Sequence, residues 1–188
     1  MTRTARALFM AAVLVLTLGV AAPAQAGKAH PVPIKGVEVP ITAQDVIPDP
    51  RCPAYEPANP VGWGQDFILD VRWSRLGRGT AEGYHCYVFD SWADATTAKL
   101  LLLGPVTVIA ANGDQLWLEK APGFTLLVHF DEVGAVVASE AFGDVHIVGG
   151  TGRFDGATGT LHAVAPDMGG AITLSGEIAY DASNRAAN

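Results

Sequence analysis

Three histidines, His129, His146 and His162, fall in three successive strand-like runs, each on the more polar face. His129 shares its face with Asp131, and His146 with Asp144. Imidazoles and carboxylates from neighbouring strands are a donor set that zinc takes. Alternation alone does not align the three along their strands, and neither H-x-H nor H-E-x-x-H spacing occurs. Exposed or locally hydrogen-bonded histidines are therefore the expectation, and no metal site is assigned. Asp131, Glu132, Glu140 and Asp144 could supply an acid/base pair for hydrolysis, but a solvated strand face displays the same carboxylates. No serine stands in a G-x-S-x-G elbow. No catalytic residue and no cofactor is assigned.

The segment from Gly149 to Gly159 carries five glycines in eleven residues, around Arg153, Phe154 and Asp155. A phosphate loop needs G-x-x-x-x-G-K-[ST], and no Lys-Ser or Lys-Thr follows here. A dinucleotide turn needs G-x-G-x-x-G opening a helix, whose N-terminus holds the pyrophosphate. Here Gly156 comes one residue late and a strand-like run, Thr160 to Ala165, follows. Gly149, Gly150, Gly152, Phe154 and Gly156 are thus expected to form a structural corner between strands, using conformations open to glycine. Arg153 and Asp155 are expected to pin it.

Those residues need strands to hold them. Phe67, Leu69, Val71 and Trp73 alternate with polar neighbours at a clean period of two. Tyr84 to Phe89 reads as a second strand. Val106 to Ala110 and Gln115 to Leu118 flank Asn112-Gly113, a strong hairpin signal. Phe124 to Phe130, Val136 to Ser139, Phe142 to Val148, Thr160 to Ala165 and the run from Ile172 to Tyr180 complete the series. Ser91-Trp92-Ala93-Asp94 resembles a capping box that would lead a helix through Ala95 to Leu102, or else a loop feeding a strand. Short strands near ten-residue spacing predict an all-β sandwich or barrel, and closure would remove exposed edges. Trp73, Leu118, Phe124, Leu126, Phe130 and Phe142 are the candidate lining of its interior. The same residue types either fill a barrel or line a cavity in it.

Four regions are expected. Residues 1–26 read as a signal peptide: Arg3 and Arg6, an apolar run from Ala7 to Val20, and Ala24-Gln25-Ala26 as a cleavage site. That run is too short, and too soon followed by Pro23, to be a stable membrane span. Residues 27–60 hold eight of the 12 prolines, which argues against helix or central strand and predicts an extended arm. Residues 61–182 form the β domain and 183–188 a frayed tail. The formal charge is −7, and removing Arg3 and Arg6 makes the chain more acidic still. Nucleic acid and anionic membranes are therefore poor partners. Cys52 and Cys86 are the two cysteines; in an oxidising compartment they predict one disulfide, stabilising by about 3–4 kcal/mol in the chain-entropy model. It would staple the second half of the arm to the domain. The expected location is extracellular or periplasmic.

Ile147-Val148-Gly149-Gly150-Thr151-Gly152-Arg153-Phe154, continued by Asp155-Gly156-Ala157-Thr158-Gly159, resembles a signature of small barrels related to allene oxide cyclases and dirigent proteins. Leu76-Gly77-Arg78-Gly79-Thr80 and Ala110-Ala111-Asn112-Gly113-Asp114-Gln115-Leu116 resemble secreted bacterial relatives of that group, in the same order. The resemblance implies an eight-stranded antiparallel β-barrel with a largely apolar interior. It carries over no activity: dirigent proteins have Arg-Gly-Tyr-Ala-like residues where this chain has Gly156-Ala157-Thr158-Gly159, and no catalytic position of the plant cyclases is matched. Three functions follow as expectations. The barrel binds an apolar or aromatic small molecule; or it steers a reactive substrate as a cyclase does, by orientation and exclusion of water; or it is filled, and acts outside the cell through its loops. The sequence leaves oligomeric state open.

Overall fold

Alternation decides which side of each strand faces in. Phe67, Leu69, Val71 and Trp73 are all at most 6% exposed, while Ile68 and Arg72 between them look outward. The computed structural model describes residues 30–56, 61–167 and 169–181; the expected signal peptide, 1–26, and the expected tail, 183–188, lie outside them. The strands are β1 (Val32–Ala43), β2 (Ile47–Pro48), β3 (Trp63–Trp73), β4 (Gly77–Trp92), β5 (Thr97–Leu103), β6 (Pro105–Ala110), β7 (Gln115–Lys120), β8 (Thr125–Phe130), β9 (Val136–Gly150), β10 (Thr158–Ala165) and β11 (Ile172–Ala179). Among the described residues no helix is long and apolar enough to cross a membrane.

All pairings are antiparallel, and they close on themselves. β3 pairs with β1, β1 with β11, β11 with β10, β10 with β9, and β3 with β4. Two interrupted strands fill the gap between the long β4 and β9. β6 and β7 bridge it at one end, β5 and β8 at the other. The break between β5 and β6 is Gly104, whose φ of +112° suits glycine. The result is an all-β, antiparallel ring of eight strand positions. One apolar core occupies its interior.

Three local expectations are corrected. Val32–Ala43, expected as part of an extended arm, is a strand of the ring despite Pro33 and Pro40. Only Gly36, Val37 and Glu38 are paired on both sides. Each proline sits where the strand has a single partner, so its missing N–H breaks no central ladder. The capping-box reading of 91–94 also fails. The Asp94 carboxylate accepts the Thr96 N–H at 2.8 Å, turning the chain into β5, where β4 and β8 supply ladders that a helix would forgo. Val136 to Ser139 and Phe142 to Val148 are one strand, because Glu140-Ala141 continues the alternation.

Candidate functional site

The two ends of the ring differ, and the open one holds the site. There the segment after β2 stands against β4. Cys52 is disulfide-bonded to Cys86 across 34 residues, the expected pairing. Arg51 pairs with Asp49 and Asp66 and covers the Tyr84 ring at 4.5 Å. Its hydrogen bonds hold the Asp49 carboxyl below the ordinary carboxylate range. The Phe89 N–H donates to the Tyr55 carbonyl at 2.8 Å. These ties stand Tyr55 beside the mouth as a wall. Between it and the strands lies an open apolar vestibule of about 570 Å³, lined by Tyr55, Trp63, Tyr87, Leu100, Leu126 and Val128 among others.

Tyr87 lies between this vestibule and a smaller chamber of about 90 Å³ further in. Its hydroxyl donates to Gln65 Oε1 at 2.7 Å, and Gln65 Nε2 donates to the Gln44 carbonyl at 2.7 Å. Burial pushes the Tyr87 phenol up, so it stays protonated. Gln65, Phe67, His85, Leu102 and Phe124 contribute to the chamber wall. The His85 ring stacks on Phe67 with centroids 4.3 Å apart. Its Nδ1 is buried without a hydrogen-bond partner. Burial, then the nearby Lys120, pull its pKa well below the ordinary value, leaving a neutral imidazole.

Toward the closed end the interior holds a carboxyl. Glu38 is 5% exposed and lies beside Trp73, whose indole covers Gly36. Glu38 Oε1 and Trp73 Nε1 make no hydrogen bond of regular geometry. Burial pushes Glu38 up to about 7, against the opposing pulls of Lys120 and the Trp73 indole. Lys120 is the counterpart, drawn down to about 7 by burial and held up in part by Glu38. Its Nζ donates to the Gly104 carbonyl at 2.9 Å and reaches the Tyr84 carbonyl at 3.5 Å. The amine thus fills the gap in the ladder that Gly104 opens. Neither Glu38 nor Lys120 is among the residues lining the vestibule or the chamber.

The expected lining residues separate. Phe124 lines the chamber and Leu126 the vestibule. Trp73 and Leu118 are buried in the core. Phe130 instead packs against Trp92 at 6.0 Å, beyond a register shift in β8 and outside the core cluster. Phe142 is corrected outright: it shares parity with Asp144 and His146 and faces outward, 38% exposed. The glycine segment closes the far end. Gly149 and Gly150 finish β9, Gly152–Phe154 is a 3-10 turn, and Gly152 and Gly156 have φ of +58° and +67°. Arg153 Nη2 donates to the Leu76 carbonyl at 3.1 Å and its Nε approaches Asp114 at 3.4 Å.

The three surface histidines have separate partners. His129 bonds Thr97 at 3.1 Å, His146 bonds Thr160 at 3.2 Å, and His162 bonds Asp144 at 2.9 Å. Asp131 turns its loop by accepting the Val133 and Ala135 N–H groups. Among the described residues no group of three or more His, Cys, Asp or Glu could hold a metal.

Glu38, Gln65, His85, Tyr87 and Lys120 carry the polar chemistry of the interior, and none stood out in the sequence. Parity gave a signal for two: Lys120 follows Leu116 and Leu118, and Gln65 precedes Phe67 and Leu69, at steps of two. The chain matches no family model and no curated protein in sequence comparison.

Proposed function

We propose that this chain is a secreted β-barrel, of the kind found in allene oxide cyclases and dirigent proteins, that binds an apolar or aromatic small molecule at its open end. The observation that carries this reading is the vestibule. Its volume falls in the range of small-molecule sites, and its walls are aliphatic and aromatic around few polar atoms. The closed eight-position ring, the Cys52–Cys86 bond and the leader-like residues 1–26 support the class and the location. Val128 is half-buried in the wall, so Val128→Trp should fill the space without disturbing the core. Equilibrium dialysis with naphthalene should show binding to the wild type and at least about tenfold weaker binding to the variant, the loss of roughly 1.4 kcal/mol. Equal binding to both proteins would overturn the site.

One observation favours a second reading, a cyclase-like enzyme. Glu38, His85 and Lys120 put proton-exchanging groups within an apolar interior. Of these, His85 lines the chamber and none lines the vestibule, so the binding reading stands first.

A further inference from the structure

Tyr87, the boundary between vestibule and chamber, has a hydrogen-bond polarity that can be read from its partners. A backbone carbonyl only accepts hydrogen bonds, so the contact between Gln65 and the Gln44 carbonyl fixes which end of the amide is nitrogen. The amide oxygen must then face Tyr87, and that oxygen also only accepts. The Tyr87 hydroxyl therefore spends its one proton on Gln65 at 2.7 Å. What remains on the phenol oxygen, where Tyr87 separates the vestibule from the chamber that Gln65 lines, is a pair of lone pairs. The other polar atoms of the wall, on Tyr55, Trp63 and Ser139, belong to half-buried residues, whereas Tyr87 is 5% exposed.

We infer that the vestibule selects apolar molecules bearing a neutral hydrogen-bond donor, a hydroxyl or an N–H, which the Tyr87 oxygen accepts. This rests on the reading of the vestibule as a ligand site. A donor placed there replaces a bond it would make to water. A carboxylate offers only acceptors, so at the Tyr87 oxygen it would lose its hydration without a bond in return, and it would have to turn instead to the Tyr55, Trp63 and Ser139 donors nearer the solvent. Turning the Tyr87 proton toward such a ligand would strip Gln65 of its partner. The Gln44–Gln65–Tyr87 chain thus works as a positioning device that keeps the phenol oxygen in one role.

Three probes of one shape test this by equilibrium dialysis at pH 7: 2-naphthol, naphthalene and 2-naphthoate. The expected order is naphthol tightest, by about fivefold over naphthalene, the worth of one net hydrogen bond, with naphthoate weakest. Tyr87→Phe should erase the naphthol advantage over naphthalene. Gln65→Leu should release the Tyr87 proton and raise naphthoate relative to naphthol. If naphthol and naphthalene bind the wild type equally, or naphthoate binds tightest, the donor rule is wrong and the site survives. If none of the three binds, the vestibule reading falls and the donor rule with it. The ranking on wild-type protein decides the matter even if a variant does not fold.

Discussion

The closed and open ends of the ring are built from the same alternating strands, yet one is solid and the other hollow. At the closed end, Phe154 is 1% exposed and packs edge-on to Tyr180 at 5.4 Å. Val108, Leu116, Leu161 and Ile178 lie at most 1% exposed around the same core. At the open end no comparable plug turns inward among the described residues; the Tyr55 segment stands at the side and is stapled there. The difference lies in what the chain does as it leaves a strand. After β9 the glycine segment folds back across the opening, and after β2 the disulfide holds the chain beside it. Strand pattern makes the ring, and end segments decide whether it can receive anything.

Removing the plug should have the largest effect. Phe154→Ala deletes a fully buried ring from a corner pinned by Arg153, and should cost about 4 kcal/mol in urea denaturation. The vestibule lies at the other end, so naphthalene should bind the folded variant as it binds the wild type. A loss below about 1 kcal/mol would show that the corner merely caps the ring. Weakened binding at full occupancy of the fold would show that the two ends are coupled.

Between the ends sits Glu38, and its pH dependence sharpens the contrast. Its pKa is raised from 4.5 to about 7 by burial. The folded state therefore holds a proton that the unfolded state has already released. That contribution is fully present below pH 4.5 and is lost as pH rises through about 7. Lys120, lowered from 10.5 to about 7, runs the other way: its contribution is full above pH 10.5 and is lost as pH falls toward 7. Glu38→Gln keeps the shape and cancels the first effect. It should match the wild type near pH 4.5 and exceed it by about 3 kcal/mol at pH 9, measured by urea denaturation at both values. A constant difference across that range would mean that Glu38 meets water and titrates normally.

The strands that wrap both ends were legible wherever one face was plainly apolar. Phe67 to Trp73 shows its inward side at sight, and Asn112-Gly113 marks the β6–β7 turn, with φ of +87° at Gly113. β1 was not legible, for two reasons. Its prolines argue against pairing, and only the stagger of its neighbours, invisible in sequence, makes room for them. Its alternation is also inverted: Val37, Val39 and Ile41 face out while Glu38 faces in. Gly36 beneath the Trp73 indole imposes that parity. Tyr84 to Phe89 was legible as a strand and lies within β4, but the direction in which it faces was not. Both faces carry rings and apolar groups, so nothing in the pattern says that His85 and Tyr87 point inward. Glu38 was therefore hidden by a strand read as an extended arm, and His85 and Tyr87 by one whose two faces look alike.

The smallest effect concerns two phenylalanines that the sequence presents alike. Phe124 is 7% exposed and borders the inner chamber, whereas Phe142 is 38% exposed on the outside of β9. Across the ladder Phe142 faces Val164 on β10, itself 38% exposed, and Thr125 on β8. Threonine suits a strand and keeps the outer pairing, so Phe142→Thr should cost only about 0.5 kcal/mol, while Phe124→Thr should cost about 3 kcal/mol. Both are read from urea midpoints at matched slope. If the outer substitution costs as much as the inner one, Phe142 is shielded from water in solution. Since β9 runs from the open end to the closed one, the outer face of the ring would then be a packed surface as well.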